Sequence, residues 1–416
     1  MPIKRKIVND PVYGFITISD ELSFSILEHP WFQRLRRISQ LGLTSMVYPG
    51  ALHTRFHHAL GAMHLMGAAI ETLRVKGVEI TKEEALGARL AILLHDIGHG
   101  PFSHALENCI VTDLTHEDLS ELFLERLNAQ YDGRLSTAIA IFRNEYPVRF
   151  LHQLISGQLD MDRMDYLMRD SFYTGVSEGV INTERLLKML TIAGDDLAIE
   201  SKGIYSIEKF VVARRLMYWQ VYYHKTVLAA EYMLVKALSR AKFLSEQGEK
   251  LFATPAFSYF LENRILGNDF RTNPETLEYF ARLDDVDILS SIKSWVDHPD
   301  TILSYISNAL INRELFRVII SEEPFSEGFV NELKARINAR MGISDADTHY
   351  LITAGTISNN AYDPTSHKIN IVDKEGIVRD FSEMSDQLNI GMYSRVVRKY
   401  FLCFPKWAEQ SPSGLV

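Results

Sequence analysis

Basic charge is in short supply in this chain. Its 416 residues hold 44 Lys and Arg against 53 Asp and Glu, a formal net charge of −9. A nucleic-acid surface usually needs a basic stripe, so the balance argues against a nucleic-acid partner. A small anionic substrate stays open, because a cation and a few arginines reverse the field locally. Cysteine is scarcer still. Cys109 and Cys403 are the only two and have no paired spacing, which reads as packed thiols in a reducing compartment. No apolar run approaches the ~20 residues of a membrane span. Residues 1–10 are charged, without the apolar core of a signal peptide. The expectation is a cytoplasmic protein with no membrane partner. A Gly-x-x-x-x-Gly-Lys phosphate loop is missing too, which sets aside P-loop nucleotide hydrolysis. There is no internal repeat and no low-complexity tract.

Hydrophobic residues make up 46% and charged residues 23%, ordinary values for a globular chain long enough for one large core and a smaller domain. Leu22, Ile26, Leu27, Phe32, Leu35, Ile38 and Leu41 recur at helical spacing, broken at Pro30. Phe56 to Leu73 reads as one helix. Thr81 and Glu84 form a capping box ahead of another, and Pro101 suits the first turn of a third. His116–Leu127, Leu151–Arg169 and a stretch from Ile207 past Lys242 continue the pattern. Leu197–Glu200 and Gly203–Ser206 flank Ser201-Lys202 as a small hairpin. Residues 243–320 look helical. Beyond Phe325 the texture turns β-rich at Tyr350–Thr353, Lys368–Val372, Gly376–Val378 and Arg398–Phe404. Three units are expected: residues 1–242, a helical extension 243–324, and a small α+β module 325–416.

The densest chemistry follows the apolar run Leu90–Leu94, where His95 and Asp96 stand side by side, with His99 and His104 soon after. Ionisable groups at the end of an apolar helix are poorly solvated, and buried charge is costly unless paired or bound to metal. One cation with a few more ligands would resolve this. Upstream candidates are His53, His57, His58 and His64; downstream ones are Asp160, Asp162 and Asp165. A set of two His and two carboxylates suits Mn, Fe, Co, Ni or Zn. If the helix continues through Gly98, His99 shares a face with His95. Arg55 and Arg163 are the chosen phosphate clamps, because Arg binds phosphate oxygens bidentately.

Four ordered blocks carry a resemblance: Phe32–Gly42, His53–Gly61, His95–His104 and Asp160–Asp170. Over roughly residues 10–235 the chain resembles the HD-domain metal-dependent phosphohydrolases, and more closely their deoxynucleotide triphosphohydrolase branch with its uncharacterised bacterial relatives. The resemblance implies a mainly α fold, an HD-domain helical bundle, here with the small C-terminal α+β module. It implies one divalent ion (Mn, Fe, Co, Ni, Zn or Mg) held by His58, His95, Asp96 and Asp162. The family usually has Glu where this chain has His57.

By the same resemblance, His104 is the general acid on the leaving oxygen, with His99 beside it and Glu107 orienting the catalytic His. His116 is a supporting or active-site member. Tyr166 and Lys225 match residues that touch phosphates or frame the pocket, and Gln40 and Asp170 match residues that contact a sugar 3′-hydroxyl. The implied function is hydrolysis of a nucleotide phosphoester, foremost a deoxynucleoside triphosphate to deoxynucleoside and triphosphate, by a homo-oligomer. Two alternatives remain. His99, His104 and His116 could serve a two-metal phosphodiesterase, or the chain could be a nucleotide-binding scaffold with a structural metal. The alarmone-hydrolase branch is disfavoured, since His99-Gly100 stands where it carries Glu-Asp.

Overall fold

The computed structural model describes residues 6–102, 111, 113–359, 362–363, 368–386 and 395–409. Two short strands, β1 (Lys6–Asp10) and β2 (Gly14–Ile18), open the chain as an antiparallel hairpin. The periodic segments then fold as helices α1 (Glu21–Glu28), α2 (Arg55–Val75), α3 (Lys82–Leu94), α4 (His116–Gln130), α5 (Met161–Thr174), α6 (Ile204–Met217), α7 (Lys225–Glu246), α8 (Asp285–Ser294), α9 (Thr301–Ile311) and α10 (Glu327–Met341).

The central helix is α2. Thirteen of its residues are buried, on all sides, as befits a helix apolar all round. It packs against α3 and α5. The Thr81–Glu84 box caps α3 as the spacing implies, with Thr81 N–H donating to Glu84 at 2.7 Å. Asp160 caps α5 by accepting from Arg163 N–H at 2.7 Å, and Gly175 ends that helix in the left-handed conformation at φ 75°. These three helices bring three distant stretches of sequence to one place.

Several expectations need correcting. Helix α3 does not run through Gly98. It stops at Leu94, and the chain tightens into turns, with Ile97 N–H bonded to Leu94 O and His99 N–H to Asp96 O. The freed backbone groups are met from α4: Ser120 Oγ donates to His95 O at 2.6 Å and accepts from Gly98 N–H at 2.9 Å. Gly98 has no room for a side chain, because a Cβ there would lie 2.3 Å from both His116 O and Ser120 N.

The hairpin sits earlier than expected. It joins β3 (Leu190–Ala193) to β4 (Asp196–Glu200) through Gly194, at φ 63°, and Asp195, while Ile204–Ser206 begin α6. The helix expected from Ile207 past Lys242 is broken by a wide turn at Tyr218–Tyr222. Leu151–Arg169 is likewise interrupted, between a short helix at Arg149–Gln153 and α5.

Within the stretch expected to be helical lies β5 (Arg317–Ser321). It flanks β9 (Val397–Phe404), whose other edge pairs with β6 (Thr353–Asn359). Strands β7 (Asn370–Val372) and β8 (Val378–Asp380) extend the β3–β4 hairpin, with β7 parallel to β4. The C-terminal strands are thus tied both to β5 and to the β3–β4 hairpin. Pro101 and Phe102 lie in a turn; the helix expected after them falls outside the described residues.

Candidate metal centre

His58, in the first turn of α2, is fully buried. Its Nδ1 lies 2.8 Å from Asp165 Oδ2, so that nitrogen carries a proton and Nε2 faces the other way. His95 follows the last residue of α3. Its Nδ1 lies 2.6 Å from Ile92 O, which only a protonated Nδ1 satisfies. Both Nε2 atoms are buried without a hydrogen-bond partner among the described residues. They converge on Asp162 Oδ1, at 3.1 Å from His58 and 3.6 Å from His95. Ligand atoms of His58, His95 and Asp162 all lie within 4.8 Å of one another.

Two orphaned imidazole nitrogens aimed at a carboxylate form a donor set that fits a divalent cation of borderline hardness. Asp96 borders the group rather than joining that tight cluster. Its Oδ1 is 3.3 Å from His95 Nε2 and its Oδ2 3.7 Å from His58 Nε2, while Oδ2 also accepts from Arg55.

The electrostatics favour positive charge at this point. Burial disfavours an imidazolium at His58, but Asp162 and Asp165 outweigh it and hold the group up to about 10. Burial likewise opposes the shift at His95, where Asp96 and Asp162 prevail and raise it. Asp162 and Asp96 are both held below the usual carboxylate range by the neighbouring histidines against the effect of burial, with Arg55 also acting on Asp96.

Behind His58 stands a buried ion-pair chain. Asp165 accepts from Arg169 Nε and Nη2, each at 2.9 Å, and Arg169 Nη1 donates to Asp10 at 2.8 Å. Asp165 is the structural carboxylate that its place beside Asp162 suggests; the Asp10 link is not legible in the sequence, because Asp10 lies 159 residues from Arg169.

The other expected site residues fall at varied distances from this cluster. His99 is buried, 3.3 Å from Asp96 through Nε2, and stacks on His116 with centroids 3.9 Å apart. Burial, aided by Arg55, pushes His99 well below the ordinary histidine range. Arg163 ion-pairs with Asp160 at 3.1 Å, one residue from Asp162. Tyr166 is raised by burial and stands edge-on to Tyr222 at 6.4 Å. Asp170 is engaged on both oxygens, by His53 Nε2 and Tyr222 OH, each at 2.7 Å. Gln40 has a buried side-chain oxygen without a partner among the described residues. Lys225 is exposed at the start of α7. His104 and Glu107 lie outside the described residues.

His57 does not join the metal cluster. Its Nδ1 accepts from Thr54 N–H at 3.1 Å, the part that Glu plays in a capping box. A separate cavity of about 240 Å³ lies between Arg149, Gln158, Leu197 and Asn370. Its glutamines are already bonded, Gln153 to Asp196 and Leu197, Gln158 to Arg214 and Asp363.

Residues 55–170 match the HD domain family and residues 181–251 the HD associated region. The solved structure of a phosphohydrolase from Bacteroides thetaiotaomicron is 54% identical, with a TM-score of 0.94 over 96% of this chain and 100% of that one. The uncharacterized protein YwfO of Bacillus subtilis is 35% identical over 323 residues, which is 76% of this chain and 72% of YwfO. The chain belongs to the HD-domain family. This HD-domain protein is also 33% identical over 255 residues to the deoxynucleoside triphosphate triphosphohydrolase SAMHD1 homolog of Dictyostelium discoideum, over 57% of the chain and 49% of that relative. It therefore spans about half that relative's length. The HD-domain match begins at Arg55 and ends at Asp170, so it contains His58, His95, Asp96 and Asp162.

Proposed function

We propose that the protein is a metal-dependent phosphohydrolase acting on nucleotides, with deoxynucleoside triphosphates as the foremost substrate class. The observation that carries this is the pair of buried Nε2 atoms of His58 and His95, unpartnered among the described residues, that face Asp162. The names of the Bacteroides structure and the SAMHD1 homolog support the reaction class.

His58, His95 and Asp162 would hold one divalent ion, with Asp96 as the fourth ligand. Such an ion supplies Lewis acidity toward phosphoryl oxygen and toward water. Arg55 and Arg163 neutralise charge growing on the phosphate oxygens. His99 accepts or relays a proton beside Asp96, with His116 stacked behind it. His104 protonates the departing oxygen, with Glu107 orienting it. Gln40 and Asp170 meet the sugar, Tyr166 and Lys225 the phosphates.

The test combines metal analysis with a panel of deoxynucleoside triphosphates, ribonucleoside triphosphates and monophosphates in the presence of Mn, assayed for triphosphate, phosphate and nucleoside. Stoichiometric metal with release of triphosphate and deoxynucleoside is expected, and both should vanish together in Asp162→Ala. Tight nucleotide binding with no product over hours would reject the enzyme in favour of a scaffold.

A further inference from the structure

The loop Ile97–Phe102 carries His99 past the metal cluster, and its backbone groups need partners once α3 has ended. Ser120 serves the side facing α4. The other side is served by Arg34, within the Phe32–Gly42 block but given no role by it, and by Asp285, which lies outside all four blocks. Arg34 donates from Nη1 to Ile97 O at 3.1 Å and from Nη2 to His99 O at 2.5 Å, and from Nε to Leu283 O at 2.8 Å. Asp285 accepts from Phe102 N–H at 2.8 Å with Oδ1 and from Ser39 N–H at 2.8 Å with Oδ2.

Arg34 has no accessible surface and lies between the rings of Phe123 and Phe280. Burial lowers its pKa to about 10, so it is charged at neutral pH. A buried cation is a costly way to fill a core. What a guanidinium adds is direction, through a rigid planar fork of donors. All three of its bonds here go to backbone carbonyls, two of them on the loop. Phe102 needs holding as well, because it sits at φ 50°, a left-handed conformation that costs a non-glycine residue about 1–3 kcal/mol. Asp285 binds its N–H. The same carboxylate fixes Ser39, whose neighbour is Gln40.

Leu283 and Asp285 lie at the start of α8, beyond residue 251 and so outside both family-matched stretches. We propose that Arg34 and Asp285 are positioning residues for hydrolysis: they clamp the Ile97–Phe102 loop to the start of α8, which makes the helical extension part of the catalytic architecture. The clamp sets where His99 stands relative to Asp96 and leaves the metal ligands alone. This role rests on the hydrolase reading above, and its test has one readout that does not.

The experiment compares Asp285→Asn, Asp285→Ala and Arg34→Lys with wild type in metal content, steady-state kinetics and hydrogen–deuterium exchange. Asn retains an acceptor for only one of the two N–H groups. Metal stoichiometry should stay at the wild-type value and KM should hold, while kcat falls about 10–100-fold, the penalty of a small misplacement. Exchange should rise about fivefold or more in Ile97–Phe102, from the lost hydrogen bonds, with α2 and α5 as protected as before. Wild-type kcat in folded Asp285→Ala overturns the proposal. So does unchanged protection of the loop, loss of metal in step with activity, or failure of all three variants to fold. If wild type hydrolyses nothing, the proposed function fails, while the exchange pattern still decides whether the clamp exists.

Discussion

Gly61 lies flush against Asp165. A Cβ at position 61 would stand 1.9 Å from Asp165 Oδ1 and 2.2 Å from Arg169 Nη2. The glycine lets α2 and α5 approach closely enough for Asp165 to reach His58. Gly61→Ala gains helix propensity of about 1 kcal/mol, but it must displace a buried ion pair. Overpacking of this kind costs about 1–3 kcal/mol, and the displaced pair adds to it. A lower melting temperature together with weaker metal binding is expected in thermal melts and metal titration. A variant as stable as wild type with full metal affinity would contradict this packing.

Asp165 fixes the His58 tautomer, so its removal should be felt at the metal. In Asp165→Asn the amide holds one acceptor, and Arg169 competes for it. Partners of this kind are worth about 10–100-fold in metal affinity. Calorimetric titration with Mn should show that loss in a variant whose helical circular dichroism is unchanged. Equal affinity would mean that His58 is oriented by its packing alone.

His57 accepts from Thr54 as a capping residue, which predicts a simple substitution pattern. His57→Ala should cost about 1 kcal/mol, the usual value of a helix cap, with the metal content unaltered. His57→Glu should restore that stability, because Glu fills the same place in a capping box. Loss of metal in His57→Ala, measured by elemental analysis, would assign the residue to the centre instead.

How far the sequence reveals this centre depends on how local each signal is. His95-Asp96 stands out because an apolar run and two ionisable groups are adjacent in the chain. The Thr81–Glu84 cap and the α2 periodicity are likewise local. Asp285 lies 183 residues from Phe102 and 246 from Ser39, and no spacing rule reaches that far. The β3–β4 turn was hidden for another reason: Gly194-Asp195 is the turn, whereas Ser201-Lys202 only looks like one between two β-prone runs. Val318-Ile319-Ile320 in β5 is too short an apolar run to tell strand from buried helix. The end of α3 at Leu94 leaves Gly98 packed against the backbone of α4, a neighbour invisible from the local pattern.

Arg240, on α7, bonds Asp300 ahead of α9 and also Asp347. Burial would raise the Asp300 carboxyl, but the bonds from Arg240 outweigh it and hold it below its ordinary value. A carboxyl depressed in the folded state stabilises fully above its unfolded pKa of about 3.9 and loses that contribution as pH falls through the folded value. Asp300→Asn should therefore cost about 2 kcal/mol at pH 7, the worth of hydrogen bonds to a charged group. The difference from wild type should shrink below pH 4. Urea melts at pH 7 and pH 3 check this, and an equal difference at both would remove Asp300 from the acid-sensitive groups.

Gly98 separates the turn that carries Asp96 and His99 from α4 by less than a methyl group. With Cβ 2.3 Å from His116 O and Ser120 N and 2.8 Å from Leu119 C, Gly98→Ala cannot be absorbed by a side-chain rotation, because all three atoms are backbone. Either α4 or the loop must shift. A shift of α4 draws His116 away from His99; a shift of the loop draws His99 away from Asp96. Both leave His58, His95 and Asp162 in place, since these stand on α2, at the end of α3 and on α5. Gly98→Ala should thus keep its metal while losing turnover about 10²-fold, the scale of a 1 Å misplacement. Single-turnover kinetics on metal-loaded protein measures the loss directly, and turnover at the wild-type rate would show that the His99–His116 stack has no part in the chemistry.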